Sequence, residues 1–427
     1  MSEKIKYLNS DQFEKLLKTG DKPIILDFFS DDCPPCEVLA PIFEKMADKY
    51  EGQIEFVKMM RQDNRELALK LGVTGSPTVL FFNHSEEIGN RMSGFMTKPQ
   101  VRIAIEEILG DVLPPAKMSR VDCDLIILGG GPAGLSAGIY AGRAKLKTVI
   151  VEESICGGQA GSTSHIANYP GTMGPINGKD LVNNMKEQAL SFGVRIDDLK
   201  EIFEVKLDGP EKYVRTEDVE YYSKAIILAT GSRPRETDAI GGKELKGKGV
   251  HYCATCDGAM YEGADILVIG GGSSAIEEAV FLTRFAEHVI IVHRRDEFRA
   301  APIEIEEARE NKKITILTNK VVKEVKGGDY VLKEAILKDV KTGKEEVLAV
   351  SGAFVYVGNE PQTDRFKGQV KLDETGYISA LEDTKTNLTG VFAAGDVRTK
   401  SIRQVVTATS DGAVAAIMAE KFITAIK

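Results

Sequence analysis

The sequence predicts an α/β protein of three units: a small α/β unit, then two nucleotide-binding α/β units, the second inserted into the first. Three observations carry that expectation. The apolar run Ile24 to Phe29 leads into a Cys-x-x-Cys pair that opens a helical pattern. The run Leu125 to Leu128 leads into Gly-Gly-Gly-Pro-Ala-Gly at 129–134, and Ile266 to Ile269 leads into Gly-Gly-Gly-Ser-Ser-Ala at 270–275. At roughly 150 residues per domain, 427 residues hold about three domains.

Residues 1–110 form the first unit. After Ile24 to Phe29 comes Cys33-Pro34-Pro35-Cys36, and Leu39, Ile42, Phe43 and Met46 recur at helical spacing through Ala47. Pro35 falls in the first helical turn, where a missing N–H costs nothing. Ile54 to Val57 and Thr78 to Phe82 read as further strands, Leu67 to Leu71 as a short helix, and Pro99 to Leu109 as the closing helix. Residues 111–121 carry two prolines and no hydrophobic period, so they read as a linker reaching at most about 33 Å. Beyond it, residues 122–235 and 358–427 read as two segments of one domain, with 236–357 inserted between them.

In the motif at 129–134, Gly129 allows a tight turn, Gly131 lets a pyrophosphate approach the backbone, and Gly134 lets helix and strand pack closely. Pro132 and Ala133 open the helix, whose N–H groups and dipole favour phosphate. Glu152 ends the next strand, about 20 residues on, where a ribose-binding acid belongs. The second motif repeats the pattern with Gly270, Gly272, Ser273, Ser274 and Ala275. No acid ends its second strand. His293, Arg294, Arg295 and Arg299 stand there instead, which suits a 2′-phosphate and points to NADP.

Composition narrows the field. The net charge is −9 and no basic block exists, so nucleic acid is not an expected partner. No run of about 20 apolar residues is present, so no membrane span is expected. The segment MSEKIKYLNSDQF has no apolar signal core, and the expected compartment is the cytoplasm. Four of the six cysteines fall in two Cys-x-x-Cys pairs, Cys33/Cys36 and Cys253/Cys256. Zinc held by the four thiolates is disfavoured, because the pairs lie in separate units, so no metal is expected. Cys123 and Cys156 read as buried structural thiols.

The two pairs suit dithiol–disulfide exchange, in which one thiolate attacks and the second resolves the mixed disulfide. Cys33 at a helix start gains N–H donors and a favourable dipole. Asp27, on the preceding strand, is placed beneath that pair to shuttle a proton. Asp31, Asp32 and Glu37 are unusual neighbours, since like charges oppose thiolate formation. Asp257, beside Cys256, is a candidate general acid or base for the second pair.

Over residues 122–427 the motifs GGGPAG, GGQ (157–159), ATG (229–231), CATCD (253–257), GGGSSA, HRRDEFRA (293–300) and GVFAAGDV (390–397) together resemble bacterial-type, low-molecular-weight thioredoxin reductases. The resemblance implies two Rossmann-like, three-layer ββα domains, with FAD on the first and last segments, NADPH on the inserted domain, and a homodimer. It implies that Gly158, Gln159, Asn168, Gly395, Asp396, Arg403 and Gln404 line the flavin. It further implies that Cys256 faces the flavin and Cys253 meets the substrate disulfide. Hinge strands near 229–232 and 358–361 let the inserted domain rotate in that family. Residues 1–110 resemble thioredoxin: Leu26-Asp27-Phe28 matches its strand with a buried acid, Lys58 the lysine near that acid, and Ser76-Pro77-Thr78 the segment with a cis-proline, here Pro77. The departure is Asp32-Cys33-Pro34-Pro35-Cys36, which has neither the usual tryptophan nor the usual glycine. The route implied runs from NADPH through FAD and Cys253/Cys256 to Cys33/Cys36, then to protein disulfides. Three alternatives stand beside it: a flavoprotein of an alkyl hydroperoxide reductase-like system feeding a peroxiredoxin, a first unit that only docks a partner, and an electron donor other than NADPH.

Overall fold

A computed structural model describes residues 4–31, 33–73, 75–94, 96–110, 118–163, 166, 168–247, 249–327 and 332–426, with the backbone alone at Pro34, Pro35, Thr255 and Cys256. Contacts divide the chain into two compact units, residues 1–111 with 234–358 and residues 112–233 with 359–427.

The first unit begins with a five-stranded sheet in the order Ile5–Tyr7, Glu55–Met60, Ile24–Phe29, Thr78–Asn83, Glu86–Ser93. Ile24–Phe29 lies centrally, parallel to Glu55–Met60 and antiparallel to Thr78–Asn83. Its near-continuous apolar run is what a strand covered on both faces requires. The helix Pro34–Lys49 buries Leu39, Ile42, Phe43 and Met46, the face that its hydrophobic period marks. This is the expected thioredoxin-type layering. The edge strand Glu86–Ser93 is absent from the sequence reading because EEIGNRMS has no alternating apolar pattern.

The same unit carries a parallel sheet in the order Val250–His251, Gly352–Tyr356, Asp265–Gly270, His288–His293, Ile314–Thr318. Side chains alternate across it. Ile266, Val268, Val289 and Ile291 pack under the helices Ser273–Leu282 and Pro302–Glu310. Leu267, Ile269, Ile290 and Val292 pack on a meander of Lys320–Gly327, Leu332–Asp339 and Glu345–Ala349.

The second unit repeats the plan. Its parallel sheet runs Val391–Ala393, Ala225–Leu228, Leu125–Leu128, Thr148–Val151, Arg195–Asp197. Leu125 and Ile127 pack under the helices Pro132–Arg143, Gly178–Ser191 and Val405–Ala425. Ile126 and Leu128 face a second sheet of Ile202–Lys206, Lys212–Thr216, Val219–Ser223 and Ser119–Asp122. Both nucleotide-binding parts are thus three-layer ββα folds. Ser119–Asp122 corrects the reading of 111–121 as a linker throughout: it pairs parallel with Val219–Ser223, from Ser119↔Val219 to Asp122↔Tyr222. SRVD is too short and polar to announce a strand, and its partner supplies the ladder. The rest of that linker, 111–117, lies outside the described residues. Ser232–Pro234 and Asn359–Pro361, where the chain passes between units, form a two-stranded ribbon. Among the described residues no helix is long and apolar enough to cross a membrane.

Candidate functional site

The second unit presents a glycine turn between strand Leu125–Leu128 and helix Pro132–Arg143. Gly129 has φ +104°, and a Cβ there would strike the Ala229 carbonyl oxygen. A Cβ on Gly134 would strike the Gly129 carbonyl, so strand and helix touch through backbone alone. Gly131 is the N-cap, followed by Pro132 at the first helical position and the buried Ala133. Glu152 accepts from Gly130 N–H at 2.6 Å and from Ser154 N–H at 2.8 Å. Burial raises its carboxyl above the usual range, and those two donors oppose the shift. Gly157 N–H donates to the Gly130 carbonyl at 2.9 Å, which seats the 157–159 loop on the glycine turn.

Other residues expected at this site converge on it from distant segments. Gln159 Nε2 donates to the Ser232 carbonyl at 2.5 Å. Asn168 Nδ2 donates to Gln404 Oε1 at 3.1 Å across 236 residues of sequence. Gly395 opens the turn that holds Asp396. Asp396 Oδ1 and Arg403 Nε are both closed to solvent and have no hydrogen-bond partner among the described residues. Burial raises the Asp396 carboxyl. Arg403 stacks its guanidinium 4.0 Å from the Tyr377 ring centre. Two orphaned buried polar atoms beside a glycine turn are what a bound dinucleotide would satisfy. Cys156 sits under Gly130 with its thiol pushed up to about 12 by burial, and Cys123 likewise reaches about 12. Burial of this kind disfavours the thiolate, the reactive form of cysteine. Asp411, which the sequence reading missed, anchors this end: Arg398 lies at 2.8 Å and Lys400 at 2.9 Å.

The first unit holds the second glycine turn, at Gly270, Gly271 and the N-cap Gly272. Ser273 and Ser274 begin the helix, and Ala275 is buried against Gly270. Arg294, Arg295 and Arg299 are exposed on the following loop, and Arg299 N–H donates to the Gly271 carbonyl at 2.8 Å. His293 is placed differently from the arginines. It is buried against Gly271, its Nε2 lies 3.0 Å from the Glu297 carbonyl, and its ring stacks on Phe298 at 4.9 Å. Burial and the three arginines lower its affinity for a proton.

The same unit contains both cysteine pairs. Cys33 and Cys36 are joined as a disulfide, with Cys33 as N-cap of helix Pro34–Lys49. Cys36 N–H donates to Cys33 Sγ at 3.3 Å, and the Ser76 carbonyl oxygen lies 3.4 Å from that sulfur. The Ser76–Pro77 peptide is cis. Asp27 is fully buried, 3.2 Å from Lys58 Nζ, and beyond that ion pair its oxygens have no hydrogen-bond partner among the described residues. Burial pushes its carboxyl up to about 6, with Lys58 pulling the other way.

Cys253, also disulfide-bonded, precedes the turn Ala254–Asp257. The Cys256 side chain lies outside the description. Asp257 is 7% exposed, with Oδ2 3.1 Å from His251 Nδ1. This segment faces the thioredoxin-like part. Helix Pro34–Lys49 packs against Ala254–Asp257. A Cβ on Gly75 would lie 2.6 Å from Met260 Cε, and one on Gly94 would lie 3.2 Å from Asp257 Oδ1. Ser93 Oγ donates to the Gly247 carbonyl at 3.1 Å.

Residues 123–412 match the model of the family described as pyridine nucleotide-disulphide oxidoreductase, which spans more than half of the chain. The chain belongs to the pyridine nucleotide-disulphide oxidoreductase family. As a member of that family it is an oxidoreductase enzyme whose chemistry uses a pyridine nucleotide and a flavin. Residues 4–107 match the thioredoxin family model. A thioredoxin reductase of Peptoclostridium acidaminophilum is 46% identical over 308 residues, 71% of this chain and 97% of that protein. One from Bacillus subtilis is 43% identical over 303 residues, 70% of this chain and 94% of that protein. The solved thioredoxin reductase of Lactococcus lactis in its FR conformation superposes with a TM-score of 0.69 at 41% identity, covering 71% of this chain and 99% of that one. That of T. acidophilum gives 0.68 at 31% identity, covering 72% and 99%.

Proposed function

We propose that this chain is an NADPH- and FAD-dependent thioredoxin-disulfide reductase that carries its own acceptor, the Cys33/Cys36 domain, and reduces it in cis. The observation that carries the reading is the seating of Gly75, Gly94 and helix Pro34–Lys49 against the segment bearing Cys253 and Asp257, within one compact unit. In this reading residues 1–110 are the acceptor domain, 122–235 and 358–427 hold FAD, and 236–357 hold NADPH and the dithiol. Gly129, Gly131, Gly134 and the helix opened by Pro132 and Ala133 cradle the pyrophosphate, and Glu152 fixes the ribose side. Gly158, Gln159, Asn168, Gly395, Asp396, Arg403 and Gln404 complete the FAD site; the orphaned atoms of Asp396 and Arg403 support the fit. Gly270, Gly272, Ser273, Ser274 and Ala275 receive NADPH, with Arg294, Arg295 and Arg299 on its 2′-phosphate and His293 bracing their loop. A bound flavin supplies the two-electron exchange between nicotinamide and disulfide.

The chain's own residues perform the thiol steps. Cys253 thiolate attacks Cys33 Sγ, the Cys33–Cys36 bond breaks, and Cys36 leaves with the electron pair. Cys256 then attacks Cys253 Sγ and releases Cys33. Two electrons and two protons pass from one dithiol to the other, with Asp257 and Asp27 as the nearest proton carriers. The reduced Cys33/Cys36 pair then serves external disulfides, a peroxiredoxin among them. A homodimer follows the family resemblance. A cytoplasmic setting suits Cys123 and Cys156, which remain free thiols.

The double variant Cys36→Ser/Cys256→Ser, reoxidised gently, tests this directly. The expected product is a Cys33–Cys253 disulfide within one chain, seen as a cross-linked peptide in a chain that runs as a monomer on a non-reducing gel. A covalent dimer would place the exchange between subunits. No Cys33–Cys253 peptide at all would overturn the reading.

A further inference from the structure

Behind Asp257 lies a polar chain that the motifs do not contain. His251 Nδ1 is 3.1 Å from Asp257 Oδ2, and its Nε2 is 2.7 Å from the Tyr261 hydroxyl. His251 is 3% exposed and Asp257 and Tyr261 7% each, so all three groups of the chain are buried. The imidazole stacks on Phe354 at 5.4 Å and meets the Tyr261 ring edge-on at 5.5 Å. This packing fixes the ring plane, and each nitrogen keeps its own partner. We propose that His251 and Tyr261 are positioning residues that hold Asp257 as an oriented carboxylate for thiol exchange with Cys33/Cys36.

The direction of the chain follows from hydrogen-bond chemistry. Burial raises the Tyr261 phenol well above its ordinary range, so it keeps its proton and donates to Nε2. Nδ1 then carries the ring hydrogen and donates to Asp257 Oδ2. That bond fixes the direction in which the carboxylate points. The other oxygen, Oδ1, looks toward Gly94 of the thioredoxin-like part, whose Cβ position would lie 3.2 Å away. One oxygen is therefore fixed and the other turned toward the domain that receives the electrons. Asp257 can take the proton of a Cys253/Cys256 thiol on Oδ1 and return it to the sulfur released from the Cys33–Cys36 bond. The proton count closes within the two dithiols and needs no further reactant.

Two other titratable groups stand near. The Tyr356 hydroxyl accepts from Ala254 N–H at 3.0 Å and feels the charges of Glu278 and Asp257, which help burial to raise it far above its ordinary range. Glu278, on helix Ser273–Leu282, has Oε2 closed to solvent and unpartnered among the described residues; burial pushes its carboxyl up to about 7. The variants below leave both in place.

The inference rests on the reading of Cys253/Cys256 as the donor to Cys33/Cys36, and the test separates the two. The oxidised full chain is mixed with NADPH in single turnover. Flavin absorbance reports the first half of the reaction, and quenched alkylation of Cys33 and Cys36 reports the exchange. His251→Gln leaves an amide near the Nε2 position for Tyr261 and withdraws the donor from Asp257. His251→Asn does the reverse. Tyr261→Phe removes one oxygen and keeps the ring in its packing. In H251Q the exchange is expected to slow about tenfold, the loss of one charge-assisted hydrogen bond. Y261F should slow it by less, and H251N should recover most of the rate, all three with flavin bleaching at the wild-type rate. Wild-type exchange rates in H251Q and Y261F, or an H251N as slow as H251Q, overturn the inference alone. A wild-type chain that bleaches its flavin and leaves Cys33/Cys36 oxidised overturns the donor reading, and the inference with it.

Discussion

The two Cys-x-x-Cys pairs share a spacing and differ in what surrounds them. Cys253 stands beside Asp257, whose carboxylate continues through His251 to Tyr261. Asp27, on the strand that leads to Cys33/Cys36, is paired with Lys58 at 3.2 Å, with no further hydrogen-bond partner among the described residues. The first pair has a carboxylate tied into a polar chain; the second has one held by a single lysine in an otherwise apolar core. The difference teaches that a shared motif fixes the sulfur chemistry and leaves the proton supply to the neighbouring fold. A pair that exchanges with one fixed partner gains from a preset carboxylate. A pair that hands electrons outward meets many partners, and a carboxyl near neutrality can give or take a proton with each.

The sharpest break in this comparison is to remove one resolving thiol at a time. Cys256→Ser should lower NADPH-driven reduction of Cys33/Cys36 and of an external protein disulfide on the order of 10³-fold or more, with flavin bleaching by NADPH retained. Cys36→Ser should abolish the external reaction, since no Cys33–Cys36 disulfide can form, and should leave both flavin bleaching by NADPH and reduction of a small disulfide directly at Cys253/Cys256 intact. Equal phenotypes in the two assays would erase the proposed order of the pairs.

A smaller effect tests how the pairs meet. Gly75 lies against Met260, and the absence of a side chain there allows the approach. Gly75→Phe should slow reduction of Cys33/Cys36 on the order of 100-fold, as misplacement by about an ångström does. Reduction of a small aromatic disulfide directly at Cys253/Cys256 should be unaffected. A Gly75→Phe chain that reduced its own domain at the wild-type rate would show that this contact does not guide exchange.

These contacts also mark where the sequence stops being legible. The glycine turns, Glu152 and the cysteine pairs are local: each is set by backbone chemistry within a few residues of a strand end. Asn168 and Gln404 meet across 236 residues, and only the family resemblance brings them together in advance. His251 and Tyr261 lie two residues before Cys253 and four after Asp257, close enough to find. Their types alone carried no signal, because a lone His and a lone Tyr are ordinary core residues until the turn at 254–261 sets Asp257 and Tyr261 on the two nitrogens of one imidazole. His293 shows the opposite error of emphasis. Its spacing marks it with the arginines, and its ring turns inward onto Gly271 and Phe298. The strand Ser119–Asp122 is invisible for another reason: its stability belongs to its partner strand.

The smallest effect sharpens the contrast at Asp27. Its carboxyl is pushed from 3.8 up to about 6, so the folded state binds a proton more tightly than the unfolded chain. The stability it contributes is present below the ordinary carboxylate range and is lost as pH rises through about 6. Asp27→Asn should therefore match wild type near pH 4 and exceed it at pH 8 by up to about 3 kcal/mol. Stranding Lys58 works against that gain, since a buried cation without its partner is costly. Two features limit this cost: the asparagine amide oxygen can still accept from Nζ, and Lys58 lies 5.1 Å from the Phe29 ring centre and 5.7 Å from that of Phe43. Native-state hydrogen exchange of the Ile24–Phe29 amides in the full chain, corrected for intrinsic rate, reads the difference at both pH values. An asparagine variant less protected than wild type at pH 8 would mean that the ion pair outweighs burial, and Asp27 would then be as well supported as Asp257.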